Sequence, residues 1–524
     1  MSRALVIGGG IAGLASAALL AREGHQVTLV EKRDQLGGRA GSWEADGFRF
    51  DTGPSWYLMP EVFDHFFKLM GTSAAEQLDL VQLDPGYRVI TQGFEEWTDI
   101  AASREENVAL FESIEKGAGR ELERYLESAL DTYEMAKKRF LYTSFQSFGP
   151  LLTSDVLRRA PKLVGLLLQN LDDFVAKRFT DLRLRQVLGY PAVFLGSSPF
   201  DTPSMYHLMS HLDLADGVLY PMGGFTTLID RIHHVAVEHG VEVRTSAPVA
   251  RILVDEASAE ARGVELVGGE TIEADIVVSA ADLHHTETRL LPEHLQTYPE
   301  SYWQPRNPGP SALLMYLGVK GELPNLEHHT LLFAADWREN FEAIFGPDAR
   351  MPEPASLYIC KPSGIDPSVA PEGHENVFVL VPAPADLKFG RGDVGGDGDT
   401  RLEAYADRII AQIAEWTRTP DLAERIVLRR TYGPGDFAGD LNAWRGSMLG
   451  PAHTLKQSAF FRSGNVSKKV RGLYYAGAST IPGIGLPMCL ISAEVLIKRL
   501  RGDTSTGPLP EPLEASRPAA APTA

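Results

Sequence analysis

The sequence predicts an α/β protein built on a Rossmann-like nucleotide-binding domain assembled from discontinuous segments. Three observations carry this expectation. A glycine pattern near the N-terminus sits between a strand-like and a helix-like run, β-rich runs return after long interruptions, and a helical block and a mixed-strand block fill the gaps. At 524 residues, with 44% hydrophobic composition, the chain has material for two or three lobes rather than one.

Ala4-Leu5-Val6-Ile7 is a short apolar run of the kind a buried parallel strand shows. Gly8, Gly10 and Gly13 follow in G-x-G-x-x-G spacing, and Ile11 and Ala12 open an alanine-rich helix. Each glycine has its own use: Gly8 for the tight turn, Gly10 to let a pyrophosphate approach the backbone, Gly13 for close helix–strand packing. The helix N-terminus adds partial positive charge for the phosphates. This stretch imitates a signal peptide or a membrane span, and the glycine spacing decides against both. The next strand-like run, "QVTLVEK", reaches Glu31, 31 − 10 = 21 residues beyond Gly10, where an acid bonds the ribose hydroxyls. An acid there favours FAD or NAD over NADP, although Lys32, counted with the cofactor residues, and Arg33 follow at once.

Composition excludes several other functions. A formal net charge of −19 argues against a general nucleic-acid binder. Two cysteines, Cys360 and Cys489, provide no disulfide framework and suit a reducing compartment. The paired histidines His233-His234 and His284-His285 lack HExxH or CxxC spacing, and adjacent histidines point in different directions, so no metal is expected.

Past the first motif, "LGGRAGSWEADGFRFDTGPSWYLMP" (36–60) brings a second glycine pair and resembles the flavoproteins of the amine oxidase and carotenoid desaturase type. The resemblance implies that Gly38 and Arg39 lie against FAD and that the turn holding Gly53, Pro54 and Ser55 approaches the flavin. Paired glycines permit close backbone approach, and an arginine offsets phosphate or reduced-flavin charge. It also implies that the block from Tyr220 to Asp282 returns the chain to the nucleotide lobe, with the strand at Val249 on the adenine. Near the C-terminus, "GLYYAGASTIPGIGLPMCLISAEVL" (472–496) is similar to the last strand, turn and helix of that lobe. Gly477, Ala478, Gly485, Leu486, Pro487 and Met488 are then cofactor residues, with Ile481 and Ile484 beside them as substrate wall or as core packing under the cofactor. Amine oxidases commonly carry an acid where Ala478 stands. That departure and the G-A-x-T-x-P-G-x-G-x-P pattern identify the chain as resembling the bacterial-type carotenoid desaturases, phytoene desaturase above all.

What the resemblance implies is FAD-dependent dehydrogenation of a long apolar polyene such as phytoene, by hydride transfer from an allylic carbon and proton loss. The alternatives are a carotenoid isomerase or saturase, a diapophytoene desaturase, an amine oxidase, or a scaffold that keeps the fold without catalysis. No second G-x-G-x-x-G follows a strand, so electrons are expected to leave for oxygen, a quinone or another diffusible acceptor. No catalytic acid or base is assignable from the sequence.

The expected organisation is a first FAD segment (1–75), a substrate-side helical subdomain (76–218), a second FAD segment (219–300), a substrate-domain sheet (301–440), a third FAD segment (441–501) and a disordered Pro/Ala/Ser/Thr-rich tail (502–524). Within the helical subdomain, Arg158, Arg159 and Lys162 flank Leu163 to Leu168, a run too short to span a bilayer that reads either as an amphipathic surface for anionic lipid or as a core helix with a solvated basic end. Pro161 is expected to interrupt the helix there. Cytoplasmic placement, peripheral on the inner face of the cell membrane, is the expectation that follows.

Overall fold

The computed structural model describes residues 2–146, 149 and 153–515. The nucleotide lobe is a five-stranded parallel sheet in the order Leu473–Tyr475, Ile276–Ser279, Arg3–Ile7, Gln26–Val30, Glu242–Arg244. Its strands come from three separated stretches of chain, as the motif order predicted. Leu5 stands opposite Val277 on one side and Thr28 on the other. The helix Ile11–Arg22 is buried along nearly its whole length, because the last helix, Leu486–Arg501, and the helix Gly224–Glu238 pack against it. A helix enclosed this way has to be apolar all round, which is why it imitates a membrane span.

The second lobe is a seven-stranded mixed sheet, Ile426–Tyr432, Ser311–Lys320, His374–Ala383, Leu357–Cys360, His329–Phe333, Tyr87–Thr91, Thr98–Ile100. Two of its strands come from the stretch before residue 104, so the sheet extends beyond 301–440. The helix Thr400–Trp416 covers one face with Leu402, Tyr405, Ile409 and Ile413. Helices between Arg104 and Leu214 form a third layer beside the sheet. Among the described residues no helix is long and apolar enough to cross a membrane.

Two expectations fail. The helix Ser154–Leu168 runs through Pro161 without a break. Pro161 sits on its exposed side, so the distortion a proline imposes needs no repacking of neighbours. The tail is ordered from 502 to 515: Leu509 and Leu513 are buried in the nucleotide-lobe core, the Leu513 amide donates to the Leu69 carbonyl at 2.9 Å, and Lys498 donates to the Ser505 and Gly507 carbonyls. Composition missed this because two leucines in a polar stretch suffice to anchor it. Residues 516–524 lie outside the described residues.

Candidate active site

The glycine loop takes the shape its spacing predicts. Gly8 has φ +101°, and a Cβ on Gly13 would stand 1.8 Å from the Gly8 carbonyl oxygen, so both positions exclude a side chain by contacts within the protein. Gly10 differs: its backbone is extended, and a Cβ there would lie 3.8 Å from the Gly37 oxygen, an ordinary contact. The first intrahelical bond runs from Leu14 N–H to the Gly10 carbonyl, leaving the N–H groups of the first turn, at Ile11 and Ala12, for a ligand. This donor set, beside a glycine whose missing Cβ nothing in the protein requires, fits a pyrophosphate.

Glu31 is buried at the end of its strand, where its carboxylate accepts from the Gly9 amide at 2.6 Å and the Arg33 amide at 2.9 Å. It therefore braces the loop. The Lys32 ammonium donates to the Gly439 carbonyl and Asn442 side chain and so ties the two lobes together. Val249 opens an antiparallel strand and packs on the core around Val30 and Ala247.

The second glycine pair lies directly on the first loop: the Gly37 amide donates to the Gly9 carbonyl at 2.9 Å, and a Cβ on Gly38 would come within 3.3 Å of Gly10 Cα. Arg39 donates through Nε to the Met448 carbonyl at 2.7 Å. Gly53 has no room for a side chain, because a Cβ would meet the Arg39 oxygen at 2.3 Å. The Gly477-Ala478 turn closes over Ala12, with Gly477 at φ +113°. Gly38, Arg39, Gly53, Pro54, Ser55, Gly485, Leu486, Pro487 and Met488, predicted from three stretches of sequence, all line one cavity of about 780 Å³. Ile484 joins them; Ile481 is buried behind the wall, its amide bonded to Ser463.

Away from these residues the cavity is walled by apolar and aromatic groups of the helical layer and the mixed sheet, among them Leu163, Leu167, Phe194, Leu208, Leu331 and Phe333. Trp56 stands in the wall, stacked on His329 at 4.4 Å and edge-on to Tyr87 and Phe194. Behind that wall Tyr87 and Tyr190 donate to one oxygen of Asp213 at 2.9 and 2.7 Å while the other oxygen has no partner. Burial pushes the Asp213 carboxyl up to about 7.

Several contributors carry no recognisable sequence signal. Asp51, from the same turn as Gly53, accepts from the Phe225 and Thr226 amides and caps the helix that Gly224 opens, leaving no space for a Cβ at Gly224. His453 accepts from the Ile484 amide at 3.1 Å through Nε2, so Nδ1 carries the proton it donates to Tyr206. Buried Arg462 donates to the Gln457, Ala478 and Thr480 carbonyls and fixes the end of the last strand. One further group lies behind Trp56: His329 bonds Tyr358, Tyr358 bonds Ser55, and His328 and Cys360 adjoin them. Burial holds His328 at about 3 and His329 well below its ordinary value, so both imidazoles are neutral, and pushes the Cys360 thiol up to about 12.

A doubly wound lobe with a glycine-rich first-turn cradle, beside a large apolar chamber lined by Gly38, Arg39, Gly53 and Gly485 but not by Gly8 to Gly13 or Glu31, fits a nucleotide-binding oxidoreductase. Residues 11–494 match the family of flavin containing amine oxidoreductases. The carotenoid 3,4-desaturase of Haloarcula japonica is 42% identical over 93% of this chain and 96% of its own. The zeta-carotene-forming phytoene desaturase of Myxococcus xanthus is 34% identical over 95% and 93%. Among solved structures, an oxidoreductase from Methanosarcina mazei superposes with a TM-score of 0.60 at 17% identity, covering 95% of this chain and 100% of that one. The chain belongs to the flavin-containing amine oxidoreductase family, in its carotenoid desaturase branch, and is an oxidoreductase of that branch.

Proposed function

We propose that the protein uses FAD to dehydrogenate a long polyene of the phytoene type in carotenoid biosynthesis. The observation that carries this reading is the continuity of the glycine-lined cofactor surface with one deep apolar cavity. Bound there, FAD supplies the hydride acceptor. Gly10 and the first-turn N–H groups receive the pyrophosphate, Arg39 offsets negative charge, and the aromatic wall aligns the chain of the substrate while excluding water. The neutral, fixed tautomer of His453 holds the Ile484 turn against the chamber.

Incubating flavin-loaded protein with phytoene in liposomes, with a quinone or oxygen supplied, should yield products with longer conjugation, seen in the spectrum and chromatogram. The 42% identity to a carotenoid 3,4-desaturase favours a second reading, action on an already conjugated carotenoid. Conversion of that substrate with phytoene recovered unchanged would select it. Failure on both by flavin-replete protein would overturn the desaturase reading.

The substrate is taken from a membrane surface on which the protein sits peripherally, and electrons leave to a quinone or oxygen. Support comes from the cavity mouth, where Val164, Leu455 and Phe461 are 52%, 45% and 63% exposed while also lining the cavity, with Leu168 76% exposed nearby. Exposed apolar rims of this kind mark lipid or partner contacts. Arg159 and Lys162 both pair with Asp131, at 2.8 and 2.9 Å, which weakens their expected part in lipid contact. Leu168→Asp with Phe461→Asp should therefore abolish liposome flotation, each side chain being worth about 1.5–3 kcal/mol when buried in lipid. Neutralising Arg159 and Lys162 should change it little; the reverse ranking would move the docking surface to the charged face.

A further inference from the structure

Behind the Trp56 wall, the strand His329–Phe333 runs antiparallel to Leu357–Cys360, and His329 stands opposite Cys360. Their side chains therefore share one face of the sheet. His328 precedes the strand in a bend, so the alternation that would turn neighbouring side chains apart does not apply to it, and its ring lies 4.5 Å from that of His329. A nitrogen from each histidine and the Cys360 sulfur fall within 4.8 Å of one another. All three residues are buried, at 5%, 0% and 4% exposure.

The hydrogen bonding around these groups is incomplete. Neither ring nitrogen of His328 has a partner, nor has Nε2 of His329. An orphaned buried polar group costs about 1–3 kcal/mol, and three in one place call for an occupant. The remaining nitrogen, His329 Nδ1, bonds the Tyr358 hydroxyl at 2.7 Å, and that hydroxyl bonds Ser55 Oγ at 2.6 Å. A metal-ligating histidine is oriented in this way, one nitrogen held by an outer partner and the other free for the ion.

We propose that His328, His329 and Cys360 form a binding site for a soft d10 metal ion, Zn2+ or Cu+, set one residue behind the cavity wall. Two imidazoles and a thiolate are the donors such ions select. Bond lengths of about 2.0–2.3 Å place two ligands on such an ion roughly 3.5 Å apart, so side-chain rotation of about 1 Å closes the site. On binding, the Cys360 S–H gives its proton to solvent and the sulfur bonds the ion; no electron is exchanged. A cavity of about 20 Å³ beside Cys360, also lined by Asp51 and Ser55, has room for a water as a further ligand. The ion cross-links the two strands and, through Tyr358 and Ser55, stiffens the turn that lines the chamber.

The test uses tag-free, flavin-loaded protein, stripped with a chelator, then given Zn2+ alone or, under reducing anaerobic conditions, Cu+ alone. After gel filtration, elemental analysis should find about one equivalent of at least one ion per chain, with a raised unfolding temperature, and the arm that retains it names the ion. Cys360→Ser and His328→Asn should each weaken retention by at least about tenfold while keeping the flavin spectrum, and His234→Asn, at an exposed pair, should not. If Cys360→Ser fails to fold, as a lost flavin spectrum would reveal, His328→Asn decides. Retention of neither ion by the wild type, or undiminished retention in His328→Asn, would overturn the site.

Discussion

Gly10→Val is expected to yield a folded protein that has lost its flavin. The three motif glycines have different surroundings, and only at Gly10 does no protein contact exclude a Cβ. Its φ of −74° and ψ of 174° suit any residue, and a Cβ makes only ordinary contacts with Gly37 and Gly38. Inserted methyl groups would press instead on the pyrophosphate. Overpacking of this kind costs roughly 1–3 kcal/mol, or about 5- to 150-fold in affinity. Flavin absorbance per chain and circular dichroism measured together test this, with Gly13→Ala as the contrast. A Cβ at Gly13 would meet the Gly8 oxygen at 1.8 Å, so that variant should lose the fold itself. Full flavin content in Gly10→Val would remove the first-turn site from the cofactor assignment.

Asp213→Asn should stabilise the protein at alkaline pH and leave it unchanged in acid. Burial raises the folded-state carboxyl from its ordinary 3.8 to about 7, so the native state holds a proton that the unfolded chain releases. Stability is therefore greatest below the unfolded pKa, falls as pH rises from about 4 to about 7, and stays low above that. The full shift corresponds to at most about 4 kcal/mol at pH 8. Asparagine keeps an acceptor for Tyr87 and Tyr190 without a charge to bury. Denaturant unfolding of both proteins at several pH values isolates the effect, because the other titrating groups cancel in the difference. Parallel pH curves for the two proteins would show that Asp213 does not titrate in this window.

The glycine turns were legible because they are made of backbone. Gly8, Gly10, Gly13, Gly38, Gly53 and Gly485 are needed where a main chain turns or closely approaches a neighbour or ligand, and such a need leaves the same residue type wherever it recurs. The order strand, loop, helix, strand, acid could be read for the same reason. Side chains that act through distant partners left no such mark. The partners of the Lys32 side chain, Gly439 and Asn442, lie some four hundred positions away. Arg462, His453 and Asp213 were ordinary residues until the fold placed them against the last strand, the Ile484 turn and the tyrosine pair.

Two local rules were overridden by packing. Pro161 should break a helix but lies on a solvent face, where a distorted turn displaces nothing. The stretch after 502 has a disordered composition, yet Leu509 and Leu513 enter the core and Lys498 holds the intervening carbonyls. Burial of the two leucines works together with the hydrogen bonds from Arg22, Lys498 and the Leu513 amide against the entropy of ordering the strap.

By itself the sequence determined the class of fold, the nucleotide cradle and the branch of flavoprotein, because those rest on local backbone geometry repeated at fixed spacing. The tertiary structure alone decided the chamber, its exposed apolar rim, the buried carboxyl with its raised pKa and the meeting of His328, His329 and Cys360. These depend on which faces of distant strands and helices come together, and burial, not residue type, then sets their charge, their partners and the ligands they can hold.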